Sequence, residues 1–237
     1  MARRRGGNTT GNRILDALPE DEFRPLRRLL EPAELSLREY LYARGEPIEF
    51  VHFPVDCVVS LVAEMDDGRA VEVATVGREG MVGLPVFLQA AYTSAHDSFC
   101  QIPGASLRMP AEAFGGLAND GGPLQRLLQR YAQAMFSQVA QSSACNRLHS
   151  IEQRCARWLL LTGDRVGKEQ FPLTQEFLAQ MLGVQRSSVN TVARTLQNDG
   201  AIRYSRGLIT ILDRPALERV SCECYRIISE EFARLIG

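Results

Sequence analysis

Long apolar runs are missing from this chain. Although 45% of its 237 residues are hydrophobic, no stretch approaches the ~20 consecutive apolar residues that a membrane helix requires. A secretory leader is not expected either. Arg3, Arg4 and Arg5 are followed by Gly6, Gly7, Asn8, Thr9 and Thr10 rather than by an apolar core. The sequence therefore predicts a cytoplasmic protein with no membrane partner and a disordered tail over residues 1–12. An excess of one charge is also lacking, with 27 Lys and Arg against 28 Asp and Glu, so net charge does not announce a nucleic-acid partner. Its distribution says slightly more: residues 1–148 carry a net charge of −3 and residues 149–237 a net of +2, favouring the C-terminal part for meeting phosphate. No Cys-x-x-Cys pair occurs among Cys57, Cys100, Cys145, Cys155, Cys222 and Cys224. On a helix, Cys222 and Cys224 would diverge by about 200°. The six are read as small half-buried thiols, with no metal and no cofactor. Nor is there a nucleophile–base–orienter set or a Gly-rich phosphate loop at suitable spacing, which argues against an enzyme.

What is present divides the chain into four parts: the tail 1–12, a sensor-like domain 13–122, a long helix 123–148 and a C-terminal domain 149–237. Two short amphipathic helices flank Pro19. From about Glu34 short β-rich runs alternate with turn signals: 40–42, 50–53, 57–62 and 70–76, then 99–102 and 106–109. Asp66-Asp67-Gly68 between two of these runs marks a hairpin. Many short strands at this spacing imply a β-sandwich or barrel. Pro110 opens a short helix and Gly121-Gly122-Pro123 a long one. The latter carries an apolar stripe of Leu124, Leu127, Leu128, Tyr131, Met135 and Val139, read as the seam of a homodimer. A further helix covers 150–166, and residues 215–237 suggest an added helix packed on the C-terminal domain.

The sharpest signal lies in residues 171–212. Thr174 is placed to cap a helix holding Phe177, Leu178, Met181 and Leu182, which Gly183 ends. A second helix starts near Gln185 and runs to Asp199, where Gly200 stops it. Two short helices joined by a Gly turn are a helix-turn-helix. The strands 202–204 and 208–212, turning at Ser205-Arg206-Gly207, add a wing. The second helix presents Gln185, Arg186, Ser187, Ser188, Asn190, Thr191 and Arg194, residue types that read base edges and phosphates. It holds no acidic residue before Asp199. Thr174 and Arg206 complete the expected contact set. The expected partner is double-stranded DNA with a pseudo-palindromic operator; a winged helix used for protein contacts is the competing reading.

The order of elements, together with Leu-Thr-Gln-Glu-Phe-Leu-Ala-Gln-Met-Leu-Gly-Val-Gln-Arg-Ser-Ser-Val at 173–189 and Gly-Arg-Glu-Gly-Met-Val-Gly-Leu at 77–84, resembles the Crp/Fnr superfamily of bacterial transcription regulators. The resemblance implies an α+β protein: an N-terminal double-stranded β-helix (jelly-roll), a long dimerisation helix and a C-terminal winged helix-turn-helix. It implies a base-contacting role for Arg186 and RNA polymerase as a possible partner. It also places an effector pocket at Gly80, Met81, Gly83, Thr93 and Ser94. Cyclic-nucleotide members of the family carry Glu and Arg where Met81 and Thr93 stand. Met cannot accept a useful hydrogen bond from a ribose, and Thr cannot neutralise a phosphate, so control by cyclic AMP is not expected.

Overall fold

The computed structural model describes residues 9–89 and 92–237. Most of the expected tail lies outside the described residues, but 9–12 are built into the domain. Asn12 is fully buried. Its Oδ1 accepts from the backbone N–H of Ile14 (3.1 Å) and Leu15 (3.3 Å), while Nδ2 donates to the carbonyls of Pro54 (2.9 Å) and Gly80 (2.8 Å). One amide thus caps α1 (Arg13–Asp16) and ties it to a strand end at Pro54 and to the turn at Gly80.

After α2 (Glu20–Arg27) come β1 (Glu31–Leu35), β2 (Tyr40–Tyr42), β3 (Phe50–Pro54), β4 (Val58–Glu64) and β5 (Ala70–Val76). The short α3 (Leu84–Leu88) interrupts the strands before β6 (Asp97–Ile102) and β7 (Gly104–Pro110). One sheet has the order β1-β7-β3 and the other β2-β6-β4-β5, the two layers of a jelly-roll. Their inner faces meet through Leu35, Val51, Phe53, Val59, Ala74, Val76, Cys100 and Met109, which share one buried cluster. β1 and α3 were not foreseen: β1 holds Glu31, Pro32 and Glu34, a charged edge segment with no alternating apolar pattern.

α4 (Ala111–Ala118) leads to α5 (Pro123–Leu148), 26 residues long. Leu124, Leu127, Leu128, Tyr131 and Met135 are all buried within their own subunit, belonging to the jelly-roll core. This corrects the expected seam. The stripe is the intrachain face of α5, because a helix leaving a β-domain of this size must first cover that domain's open end. Of the predicted set only Val139 is exposed, as are Phe136 and Leu148 elsewhere on α5.

The C-terminal unit comprises α6 (Ile151–Val166), β8 (Gln170–Pro172), α7 (Gln175–Leu182), α8 (Arg186–Asn198), β9 (Ile202–Ser205), β10 (Leu208–Ile211), α9 (Arg214–Val220) and α10 (Cys224–Ile236). Ser150 and Gln153 form a capping box at the start of α6. β8 adds a third strand to the wing sheet, in the order β8-β10-β9. Contrary to expectation, α10 turns back onto the first domain: Ile228, Phe232, Leu235 and Ile236 join its core, and the Phe232 ring meets that of Tyr131 edge-on at 6.4 Å. Among the described residues no helix is long and apolar enough to cross a membrane.

The two units share a core. Val58, Val62, Phe99 and Ile102 of the jelly-roll pack in one cluster with Trp158, Leu159 and Phe177. Polar groups complete the contact. Trp158 Nε1 donates to Glu72 Oε1 at 2.8 Å, and Gln101 Nε2 donates to Thr162 Oγ1 at 3.4 Å. Ser60 Oγ lies 2.8 Å from Glu72 Oε2 and 2.6 Å from Gln101 Oε1. A hydroxyl has one proton, so it cannot donate to both. The set is satisfied when Glu72 is protonated and donates to Ser60, which donates to Gln101.

Desolvation agrees with this assignment: it pushes the Glu72 carboxyl from its ordinary 4.5 up to about 7, against the opposing effects of its hydrogen bonds with Ser60 and Trp158 and of the charges of Arg165 and Arg157. Between these values the folded chain holds a proton that the unfolded chain has released. The site's contribution to stability is therefore full below pH 4.5 and is lost as pH rises through about 7. Trp158 is the chain's one tryptophan. Its fluorescence should titrate with a midpoint near 7, and Glu72→Gln should abolish that step. A flat profile in the wild-type chain from pH 5 to 8 would contradict the assignment.

Candidate nucleic-acid interface

Thr174 Oγ1 accepts from the backbone N–H of Phe177 at 3.1 Å and starts α7. Gly183 ends α7 with φ 63, a left-handed conformation that costs an L side chain and suits glycine. Val184 N–H then closes onto the Ala179 carbonyl at 2.9 Å, and α8 begins two residues later. Against α7, α8 buries Val189, Ala193 and Leu196. These positions at i, i+4 and i+7 form the inner stripe of an amphipathic helix.

The opposite face is open. Gln185, Arg186, Ser187, Thr191 and Arg194 are exposed, whereas Ser188 and Asn190 are half-buried. Asn190 Oδ1 lies 3.5 Å from Gln175 Nε2 of α7, and Thr191 Oγ1 donates to the Ser187 carbonyl at 3.1 Å. The predicted residues thus occupy one surface but in two grades. The arginines project freely, while Asn190 is held against the preceding helix. The N-cap residue Gln185 makes no side-chain cap bond, and the first turn of α8 has no acidic residue. An uncapped helix N-terminus beside an exposed arginine favours an anion.

The wing places a further cation. Ser205 pairs with Leu208 across the hairpin, leaving Arg206 and Gly207 as a two-residue turn with φ 51 and φ 75. Two successive positive φ values match the type I′ hairpin, whose twist suits the flanking strands. The wing is anchored by two residues that sequence reasoning missed. Tyr204 N–H donates to Gln197 Oε1 at 2.9 Å, and Tyr204 Oη donates to the Leu173 carbonyl at 2.9 Å. A lone aromatic in a short strand carries no signal for this bridging role, because both partners come from outside its own hairpin.

The predicted effector residues are arranged differently from a pocket. Met81 is 1% exposed, and its carbonyl accepts from Tyr131 Oη at 2.8 Å. A Cβ on Gly80 would stand 2.5 Å from that same hydroxyl, so glycine there permits the close approach of α5. Gly83 caps α3 with φ 97. Thr93 bridges to Pro47, and the Ser94 carbonyl accepts from Gly45 N–H at 2.8 Å. Gly80 and Met81 line core, not cavity.

Comparison with known proteins agrees with this geometry. Residues 153–220 match the Crp-like helix-turn-helix domain. A CRP-like cAMP-activated global transcriptional regulator of Mycobacterium tuberculosis is 24% identical over 214 residues, spanning 87% of this chain and 95% of that protein. Among solved structures, a putative transcriptional regulator of the Crp/Fnr family from Eubacterium rectale superposes with a TM-score of 0.65 at 20% identity, over 86% of this chain and 94% of its own. FixK2 from Bradyrhizobium japonicum gives 0.69 at 16% identity, over 82% and 98%. The chain carries a Crp-like helix-turn-helix domain and is built on the fold of the Crp/Fnr transcription regulators.

Proposed function

We propose that this protein is a homodimeric, sequence-specific DNA-binding transcription regulator. The observation that carries this reading is the exposed, acid-free face of α8, with Arg186 on its first turn and Arg206 raised on the wing beside it. Arg186 is the reader, because its fork of donors fits guanine O6 and N7 in the major groove. Arg194, two turns further along, and Arg206 are phosphate anchors.

Dimerisation through α5 fits the residues its core-facing stripe leaves outside. Phe136 and Leu148 are each 76% exposed and Val139 40%, with Ala140 and Ala144 also exposed between them. Phe136, Ala140, Ala144 and Leu148 follow one another at four-residue steps, with Val139 three residues from Phe136, which makes an outward row along the helix. Phe136→Asp should convert a dimer to a monomer in analytical ultracentrifugation with the circular dichroism unchanged; an unaltered mass would move the seam elsewhere. A two-fold dimer in turn calls for half-sites about 34 Å apart.

Control by cyclic AMP, which activates the mycobacterial relative, does not carry over to this reading. The Met81 side chain is buried and offers no useful acceptor, its carbonyl is taken by Tyr131, and Thr93 brings no charge to a phosphate. Calorimetry with cyclic AMP should show no binding; micromolar or tighter affinity would overturn this part.

The two kinds of arginine contact leave different fingerprints. Arg186→Ala should cost about 1–3 kcal/mol per half-site and relax preference at one base pair. Arg206→Asn keeps a residue that tolerates positive φ. It should weaken all sequences alike and lower the salt slope by about one unit per subunit. Selection from a randomised DNA pool at two salt concentrations checks both. An unchanged motif with Arg186→Ala and an altered one with Arg206→Asn would reverse the roles.

A further inference from the structure

Three of the six cysteines, dispersed in sequence, meet in space. Cys145, Cys222 and Cys224 are at most 4% exposed and form a small buried cluster of their own. His149 completes it. The potential ligand atoms of these four residues all lie within 4.8 Å of one another. Cys145 Sγ is 3.5 Å from Cys222 Sγ, and Cys224 Sγ is 3.5 Å from His149 Nδ1. Zinc–sulfur bonds of about 2.3 Å and zinc–nitrogen bonds of about 2.0–2.1 Å set the edges of a tetrahedron at roughly 3.5–3.8 Å. The two separations of 3.5 Å fall at the short end of that range.

We propose that Cys145, His149, Cys222 and Cys224 form a structural Cys₃His site for a single zinc ion, joining the end of α5 to the α9–α10 junction. Cys145 and His149 stand four residues apart at the end of α5, on one face of the chain. Cys222 and Cys224 flank Glu223, where α9 has ended and α10 begins. Ser221 is extended (φ −63, ψ 152) and Cys222 lies outside both helices, so the two cysteines are not two positions of one continuous helix and can converge.

The surroundings are those of a ligand set. His149 Nε2 faces Glu223 Oε2 at 3.3 Å. A carboxylate accepting from Nε2–H fixes the tautomer that leaves Nδ1 free to bind metal. Gln141 Nε2 donates to Cys224 Sγ at 3.1 Å. Charge also fits. Arg154 and Arg157 are 8% and 7% exposed, and both act electrostatically on Cys145. The Nε of each is buried without a partner among the described residues. Three thiolates around one divalent zinc carry a net charge of −1, which these two guanidinium groups offset. Soft thiolates select against magnesium and calcium. Four ligand atoms gathered this tightly surround one ion, whereas the thiolates of a four-iron cluster sit on separate irons.

The ion would clamp the two-residue break at His149 and Ser150, from which the helix-turn-helix unit departs. The test needs no DNA, so its failure is distinct from failure of the DNA-binding reading. The full chain, made without a polyhistidine tag in zinc-containing medium, should hold one zinc per chain by elemental analysis. Cobalt substitution should give the ligand-field bands of a tetrahedral ion together with thiolate-to-cobalt charge transfer. Cys222→Ser combined with Cys224→Ser should abolish both signals. Since that variant could misfold, Glu223→Gln at a largely exposed carboxylate is the second probe. It should keep the native circular dichroism and weaken zinc affinity about 10–100-fold. Four outcomes would overturn the site: zinc-free protein with reduced thiols, a Cys145–Cys222 disulfide in its place, copper rather than zinc at stoichiometry, or zinc retained in full by the double serine variant.

Discussion

One buried guanidinium holds the two units of this protein in register. Arg165, on α6, is 4% exposed. Its Nε donates to Glu79 Oε1 at 2.9 Å, and its Nη2 donates to Gln138 Oε1 of α5 at 2.5 Å. Glu79 also accepts from Gly77 N–H at 3.0 Å, and Gln138 donates to the Thr75 carbonyl at 3.2 Å. The guanidinium further faces the Phe232 ring of α10 at 6.0 Å. Loop 77–80, the long helix, the last helix and the helix-turn-helix unit therefore converge on one side chain. Such a pair contributes less to stability than its geometry suggests, because both charges are desolvated. Losing one partner nevertheless strands the other, at about 3–5 kcal/mol. The pair acts chiefly as a specifier of arrangement.

That constraint makes the sensor-like domain and the C-terminal unit mechanically continuous. Gly80 and Met81 follow Glu79 directly, and both are locked to α5 through Tyr131. A displacement of this loop must either carry Glu79 and Arg165 with it, shifting α6 and the surface of α8, or break a buried ion pair. The Glu72–Trp158 bond supplies a second link between β5 and α6. Both links use polar groups where the surrounding contact is apolar, which fixes register in a way that Val58, Phe99 and Phe177 alone would not. Apolar packing is non-directional, whereas a hydrogen-bonded carboxylate accepts one geometry.

The helix-turn-helix was legible because its signals are local: a threonine cap, a glycine at φ 63 and two amphipathic helices of 8 and 13 residues. The hairpin of β4 and β5 was legible for the same reason. The α5 stripe was seen but assigned to the wrong partner. Periodicity shows that a face is buried, yet does not say whether the cover comes from the same chain. α10 was likewise found as a helix and placed on the wrong unit, since Ile228, Phe232 and Leu235 would suit any apolar surface. The effector loop differs again: the burial of Met81 under Tyr131 depends on a residue 50 positions away. The spacing of the cysteines does not reveal their cluster. Cys145 and His149 at i and i+4 carried a readable hint, but Cys222 and Cys224 look unsuitable until the helix break between α9 and α10 is known.

The wing tip shows how function and local cost meet. Arg206 adopts φ 51, a conformation that glycine or asparagine takes more cheaply and that costs most other residues on the order of 1 kcal/mol. Gly207 already supplies one permissive position, so the hairpin would close with less strain if residue 206 were also small. Core packing does not account for the arginine, since the tip is exposed. A cation held at a strained turn, beside a helix face free of acids, is what the proposed anionic partner would require. The sequence of the turn and the sequence of α8 thus make the same demand, from two elements that the wing sheet and Tyr204 hold side by side.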